Sequence, residues 1–122
     1  MQKNILVIDN DPVAGEMIVA FLQEEGYAAV AALSFEEGLQ KARVNLPDLF
    51  MLDVVMPDNT GFEGCRQIKK LFQPRPPRVI VMTGKITMTD LMRSRTVGVD
   101  DFVVKTLDMS NLIQSVRKVF SA

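Results

Sequence analysis

Residues 5–12 read ILVIDNDP: four consecutive apolar side chains, then Asp9 and Asp11 on either side of Asn10, then Pro12. An unbroken apolar run is typical of a strand buried on both faces, because a half-exposed strand alternates apolar and polar residues. Asp11 followed by Pro12 is a favourable N-cap and first residue of a helix. The stretch therefore predicts a buried strand that ends in carboxylates and leads directly into a helix.

The same pattern recurs along the chain. Short apolar runs predict five strands, at Asn4–Asp9, Tyr27–Leu33, Asp48–Val54, Arg78–Thr83 and Asp101–Lys105. Amphipathic stretches between them predict five helices, from Pro12 to Gly26, from the N-cap Ser34 onward, and over Gly61–Phe72, Thr87–Val97 and Asp108–Phe120. Helical spacing predicts a buried face for the first helix made of Val13, Met17, Ala20 and Phe21, with Ala14 beside them.

Strands that alternate with helices predict an α/β fold, a parallel sheet with helices on both faces. The length of 122 residues is that of one domain. In such a sheet the functional site lies beyond the carboxyl ends of the strands.

The composition is typical of a globular domain that does not span a membrane. A hydrophobic fraction of 48% and a charged fraction of 24% are those of an ordinary globular domain. A single cysteine, Cys65, excludes an internal disulfide and favours a reducing compartment. No apolar run approaches the ~20 residues of a membrane span, so we expect a cytoplasmic protein that does not enter a membrane. The net charge of −1 offers no reason to expect nucleic-acid binding.

Polar side chains stand at the predicted carboxyl ends of four strands. They are Asp9, Asn10 and Asp11 after the first strand, Asp53 in the third, Thr83 in the fourth and Lys105 in the fifth. Clustered carboxylates repel unless cations offset them, and hard oxygen ligands suit Mg²⁺. A carboxylate nucleophile beside a metal, a hydroxyl and an ammonium suits phosphoryl transfer. The chain has no histidine, which excludes imidazole base catalysis and histidine metal ligation.

With these residues in place, the whole chain resembles the receiver domain of two-component response regulators. Four motifs carry the resemblance: ILVIDND, LDVVMPDNTG (Leu52–Gly61), VIVMTGK (Val79–Lys85) and GVDDFVVK (Gly98–Lys105). It implies a flavodoxin-like sheet of order 2-1-3-4-5. It also implies a single receiver domain over residues 1–122, with no output domain within them.

The resemblance assigns roles to individual residues. Asp53 matches the phosphoacceptor, and Thr83 and Lys105 match the hydroxyl and the lysine that contact the phosphoryl group. Phe102 matches the aromatic residue that turns inward as Thr83 moves, which changes the surface of the fourth helix, fifth strand and fifth helix.

Further positions match the metal site and the access route. The metal ligands implied by the resemblance are Asp9, Asn10, Asp53 and the backbone carbonyl of Val55. Gly84, Val55 and Lys85 match positions that control access to the phosphoryl group.

Two departures from the family pattern carry consequences. Asn10 stands where the family has a second acid, so we expect weak Mg²⁺ binding, with Asp11 serving as a helix cap. Thr106 follows Lys105 where the family has a cis-proline, and a trans bond is expected because a cis bond without proline costs ~2.5–4 kcal/mol.

The resemblance implies a signalling domain and not an enzyme, with self-phosphorylation from small donors and slow autodephosphorylation only. Its implied partner is a histidine kinase or a phosphotransfer protein, and a homodimer through the fourth helix, fifth strand and fifth helix stays open. Two alternatives also stay open. One is a pseudo-receiver that works by protein contacts, with little phosphorylation because Asn10 replaces a metal-ligating acid. The other is a haloacid-dehalogenase-like phosphatase with Asp9 as nucleophile and Asp11 as general acid.

Overall fold

The computed structural model describes residues 2–85 and 87–121, and within them the chain forms seven strands and five helices. The strands are β1 (Asn4–Ile8), β2 (Ala28–Ala32), β3 (Leu49–Asp53), β4 (Val55–Met56), β5 (Asn59–Thr60), β6 (Arg78–Thr83) and β7 (Asp101–Val104). The helices are α1 (Pro12–Glu24), α2 (Phe35–Val44), α3 (Gly61–Leu71), α4 (Met88–Val97) and α5 (Ser110–Ser121). All five predicted helices and all five predicted strands are present, with ends shifted by a few residues at most.

Five of the strands form one parallel sheet in the order β2–β1–β3–β6–β7. Counted alone, these strands have the predicted order 2-1-3-4-5, the flavodoxin-like arrangement. The two remaining strands, β4 and β5, pair antiparallel in a short ribbon that follows β3, with Val55 opposite Thr60 and Met56 opposite Asn59. Sequence patterning did not predict this ribbon, because two-residue strands are too short to show a period.

Helices cover both faces of the sheet, and the alternation of side chains along β1 shows the two layers. Leu6 and Ile8 point into a core shared with α2 and α3. Ile5 and Val7 point into a core shared with α1 and α5. Burial on both sides explains the continuous apolar runs of the central strands. None of the helices formed by the described residues has the length and apolar character needed to cross a lipid bilayer.

The prediction of which residues form the buried face of α1 is wrong. Val13, Met17 and Ala20 are exposed, and Phe21 is half-buried. The helix instead buries Gly15, Ile18 and Leu22. Both sets are apolar at helical spacing, so periodicity could not choose between them. A Cβ at Gly15 would lie 3.7 Å from Ala31 Cβ, an ordinary van der Waals contact, so an alanine would also fit at this position.

Cys65 lies in α3 with no exposed surface, and burial raises the pKa of its thiol to about 11. The thiolate is the reactive form, so we expect the folded protein to resist Ellman's reagent at about pH 8, while the guanidinium-unfolded chain reacts fully. The colour yield before and after unfolding measures this. Stoichiometric labelling of the folded protein, with its circular dichroism unchanged, would contradict the assignment of Cys65 to the core.

Candidate functional site

Four predicted site residues meet at the carboxyl edge of the sheet. Asp9 directly follows β1, Asp53 is the last residue of β3, Thr83 is the last residue of β6, and Lys105 follows β7. The strand register brings them together, because Asp53 lies opposite Met82 and Thr83 lies opposite Val104. The backbone N–H of Lys105 donates to the carbonyl of Thr83 at 2.7 Å, which holds the lysine at this edge.

Lys105 joins the two carboxylates. Its Nζ lies 2.7 Å from Asp9 Oδ2 and 2.8 Å from Asp53 Oδ2. The Asp9 side chain has 0% of its surface exposed, whereas Asp53 has 15% and Lys105 has 21%. In this structure solvent therefore reaches Asp53 and Lys105 but not the Asp9 side chain.

The second oxygen of each carboxylate accepts a backbone N–H. Asp9 Oδ1 accepts from Asp11 at 3.0 Å, and Asp53 Oδ1 accepts from Val55 at 3.2 Å. Burial raises the pKa of Asp53, and this outweighs the opposing effect of its bonds to Lys105 and Val55. Burial alone would lower the pKa of Lys105, but its bonds to Asp53 and Asp9 outweigh that effect and raise it. The lysine is thus firmly cationic, and Asp53 holds its charge less readily than a solvated aspartate.

The Thr83 hydroxyl is hydrogen-bonded to the backbone of Lys85 in this structure. It donates to the carbonyl of Lys85 at 2.9 Å and accepts from the Lys85 N–H at 3.2 Å. Phe102 is half-buried, and its ring meets that of Phe62 edge-on at 5.5 Å. A movement of Thr83 toward a group on Asp53 would therefore break its bonds to Lys85, and an inward turn of Phe102 would change its contact with Phe62.

The three positions predicted to control access to the phosphoryl group all lie on the surface of the domain. Val55, Gly84 and Lys85 are all exposed at the carboxyl edge. A Cβ at position 84 would meet nothing within 4 Å. Packing within the domain therefore does not require glycine at this position.

The turn after β1 separates the roles of its three polar residues. Asp11 is the N-cap of α1, and its side chain accepts from the Val13 N–H at 3.0 Å. Asn10 is exposed. Asp9 is buried against Lys105. The cap predicted for Asp11 is confirmed, so this carboxylate is not directed at Asp53.

The oxygen donors at this edge fit a hard divalent ion. Asp9, Asn10, Asp53 and the Val55 carbonyl include two carboxylates, one amide and one peptide oxygen, the donor types that Mg²⁺ prefers. Within residues 2–85 and 87–121, no three acidic, cysteine or histidine side chains lie together in a way that suits a metal ion. The site thus has the right donor chemistry but one full charge less than a three-acid site would supply.

The bond after Lys105 is trans, as expected from Thr106. Among the described residues the one cis peptide bond joins Gln73 and Pro74. The Thr106 hydroxyl donates to Asp108 Oδ1 at 2.9 Å, so the residue takes part in the turn that leads into α5.

The segment after Asp53 contains two features that bear on the site. Gly61 lies so close to Asp53 that a Cβ there would be 2.5 Å from the Asp53 carbonyl oxygen, so only glycine fits. Asp58, at the tip of the β4–β5 ribbon, accepts hydrogen bonds from the N–H groups of Phe35 and Glu36, both at 3.0 Å. Sequence reasoning missed Asp58, because its partners lie more than twenty residues away and no local spacing marks the contact.

Comparison with known proteins gives a consistent result. A sequence model of the response regulator receiver domain family matches residues 5–117. Protein PilH of Pseudomonas aeruginosa is 29% identical over 117 residues, which cover 96% of this chain and 97% of PilH. The transcriptional regulatory protein CreB of Escherichia coli is 32% identical over 119 residues, which cover 95% of this chain and 50% of CreB. The chain thus spans about half the length of CreB.

Solved structures agree with the sequence comparison. The response regulator protein TrrA of Thermotoga maritima, crystallised in complex with Mg²⁺-BeF, matches with a TM-score of 0.84 and 32% sequence identity. The match covers 97% of this chain and 99% of TrrA.

Proposed function

Because the chain belongs to the response regulator receiver domain family, we propose that it accepts a phosphoryl group on Asp53 from a phosphohistidine of a histidine kinase or phosphotransfer protein. The observation that carries this proposal is the difference between the two carboxylates held by Lys105. Asp53 is accessible, with 15% of its side chain exposed, whereas Asp9 is fully buried. The carboxylate that accepts the phosphoryl group must be reached by a phosphohistidine on another protein. Asp53 is therefore the carboxylate placed to react.

The chemistry is an in-line displacement at phosphorus. An Asp53 oxygen forms the new O–P bond as the N–P bond of the phosphohistidine breaks, and the imidazole nitrogen keeps the electron pair of that bond. Lys105 Nζ, 2.8 Å from Asp53 Oδ2, is placed to neutralise charge on the transferred group. The domain is a signalling domain, and besides this transfer the only reactions we propose for it are self-phosphorylation from small donors and slow hydrolysis of the phosphoryl group.

The residues that would hold Mg²⁺ are Asp9, Asn10, Asp53 and the Val55 carbonyl. When bound there, Mg²⁺ would supply positive charge to the phosphoryl oxygens. TrrA, a relative at 32% identity, was crystallised with Mg²⁺-BeF. We propose weak binding in this chain, because an amide at position 10 carries no full charge.

The proposed switch follows from the contacts of Thr83. An acyl phosphate adds nearly two negative charges and strong acceptor oxygens at Asp53. The Thr83 hydroxyl then exchanges its two bonds to Lys85 for one to the phosphoryl group, and Phe102 turns into the space that Thr83 leaves.

The elements proposed to respond are α4, β7 and α5. Of the residues in α4, only Ser94 is fully buried, and all four residues of β7 are half-buried. Because α4 and β7 bury so little, they change position at low cost, whereas α5 buries Leu112, Ser115, Val116 and Val119. The same surface is the one we propose for a homodimer.

Exposed apolar side chains around the site support docking of a phosphotransfer partner. Val13 and Met17 lie one turn apart on α1, and Leu107 is fully exposed in the loop between β7 and α5. The start of α1 and the loop between β7 and α5 both lie at the carboxyl edge of the sheet. The two helices also cover the same face of the sheet. A histidine-bearing helix with apolar neighbours would bury these side chains as it reached Asp53.

The structure favours the receiver over the phosphatase alternative. In that alternative Asp11 is the general acid, but its carboxylate caps α1. The pseudo-receiver alternative keeps one specific observation in its favour, the amide of Asn10 in place of an acid.

One experiment distinguishes the three functions. Incubation with acetyl phosphate and Mg²⁺, followed by mass spectrometry, is expected to give one phosphoryl adduct on Asp53. Asp53→Asn is expected to remove the adduct, while Asp11→Asn, which keeps a capping oxygen, serves as the control and retains it. No adduct on the parent chain supports the pseudo-receiver, and turnover that depends on Asp9 supports the phosphatase.

A further inference from the structure

The ribbon that follows Asp53 is anchored to a different part of the domain by one side chain. Both oxygens of Asp58 accept backbone hydrogen bonds at the start of α2, Oδ1 from Phe35 and Oδ2 from Glu36, each at 3.0 Å. Burial raises the pKa of Asp58, but the bonds from Glu36 and Phe35 outweigh it and lower the pKa. The anchor is therefore an ionised carboxylate at a helix N-terminus, where the helix dipole also favours it.

The helix has a separate cap of its own. The Ser34 hydroxyl accepts from the Glu37 N–H at 3.1 Å, and Glu37 in turn accepts from the Leu33 N–H at 3.0 Å. These bonds are those of a modified capping box and lie within α2 and the residues before it. The start of α2 is thus stabilised by its own residues as well as by Asp58. Among the described residues, Asp58 is the one ribbon side chain that hydrogen-bonds to α2.

A short path leads from Asp58 to the candidate site. Asp58 lies between the paired strands of the ribbon, in which Val55 is opposite Thr60. The Val55 N–H donates to Asp53 Oδ1 at 3.2 Å. The next residue after Thr60 is Gly61, whose N–H donates to the Val54 carbonyl at 2.9 Å. The position of the ribbon tip therefore bears on the Val55 peptide, which contacts Asp53 directly.

We propose that Asp58 is a positioning residue, which holds the Val55 peptide against the Asp53 carboxylate by anchoring the ribbon to α2. This inference rests on the proposed function, since Asp53 is taken as the acceptor and Val55 as a source of a metal ligand. Its consequence is that the start of α2 and the geometry of the site are mechanically linked. A contact that moved α2 would then change how readily Asp53 reacts.

The test compares two ways of uncapping α2. Asp58→Ala removes the anchor and part of the cap, whereas the control Ser34→Ala removes cap hydrogen bonding without touching the ribbon. We expect Asp58→Ala to raise solvent exchange of the Val55 amide hydrogen several-fold, measured by NMR, and Ser34→Ala to leave it unchanged. Mg²⁺ affinity, from an NMR titration, is expected to fall about tenfold in Asp58→Ala only, the low end of the loss when an outer-shell partner is removed.

A conservative variant strengthens the comparison. Asp58→Asn keeps one acceptor oxygen, so we expect Val55 exchange between that of the parent and that of Asp58→Ala. Equal Val55 exchange in Asp58→Ala and Ser34→Ala would overturn the proposal and make Asp58 a helix cap only. The amide readout needs neither phosphoryl group nor metal, so a parent chain that fails to take phosphate would refute the proposed function and still leave the anchor measurable.

Discussion

Replacement of Lys105 by alanine is expected to lower the free energy of unfolding at neutral pH by about 3 kcal/mol, the size of loss seen when one partner of a buried ion pair is removed. The reason is the position of Nζ, 2.7 Å from Asp9 and 2.8 Å from Asp53. Without it, a fully buried carboxylate and a mostly buried one would share a site with no neutralising charge. Denaturant unfolding monitored by circular dichroism measures the loss.

The stability loss caused by Lys105→Ala is expected to depend on pH. Burial raises the pKa of Asp53, and removal of the lysine takes away bonds that oppose this effect, so the folded-state pKa of Asp53 rises further above its unfolded value. The folded state then binds more protons, so the deficit of Lys105→Ala grows as pH rises through the ordinary aspartate range and shrinks as pH falls. The double variant Asp9→Asn with Lys105→Ala is expected to recover part of the loss at neutral pH.

A surface lysine provides the control. Lys118 Nζ lies 3.5 Å from Asp101, but 70% of the Lys118 side chain is exposed. Lys118→Ala is expected to cost less than about 1 kcal/mol, as for other exposed ion pairs. Similar losses for Lys105→Ala and Lys118→Ala would mean that the cluster of Asp9, Asp53 and Lys105 is solvated and contributes little.

Replacement of Asn10 by aspartate is expected to tighten Mg²⁺ binding by at least about tenfold. A unit charge about 4 Å from a divalent ion contributes about 2 kcal/mol even in a water-like dielectric. The amide at position 10 lacks this charge, while Asp9 and Asp53 supply the carboxylates of the site. A Mg²⁺ titration followed by NMR of the amides around Asp53 measures the change.

Two companion variants define what Asn10 contributes. Asn10→Ala removes the amide oxygen and is expected to weaken Mg²⁺ binding further. Asp11→Asn changes the charge of the adjacent residue but keeps the cap of α1, and is expected to have a small effect. In the absence of metal, Asn10→Asp should lower stability, because it adds a third carboxylate beside Asp9 and Asp53. Equal Mg²⁺ affinities for the parent and Asn10→Asp would show that position 10 does not face the metal.

Local sequence patterns alone predicted the strands, the helix starts and the residues that gather at the site. Continuous apolar runs specify strands that need burial on both faces, and capping residues such as Asp11 and Ser34 specify where helices begin. A parallel sheet brings the ends of its strands to one edge, so Asp9, Asp53, Thr83 and Lys105 could be placed together before any coordinates were known. These features depend on residues close in sequence or on rules shared by all parallel sheets.

Only the tertiary structure decided which of several equivalent surfaces and groups is used. α1 is apolar on two faces, and packing against the sheet selected Gly15, Ile18 and Leu22 over Val13 and Met17. Asp9 and Asp53 are chemically identical, and burial alone makes one accessible and the other not. The contact of Asp58 with α2 spans more than twenty residues and follows no period. The exposure of a side chain and its hydrogen bonds to distant residues depend on how the helices pack on the sheet. Local sequence patterns describe neighbouring residues only, so they do not predict these features.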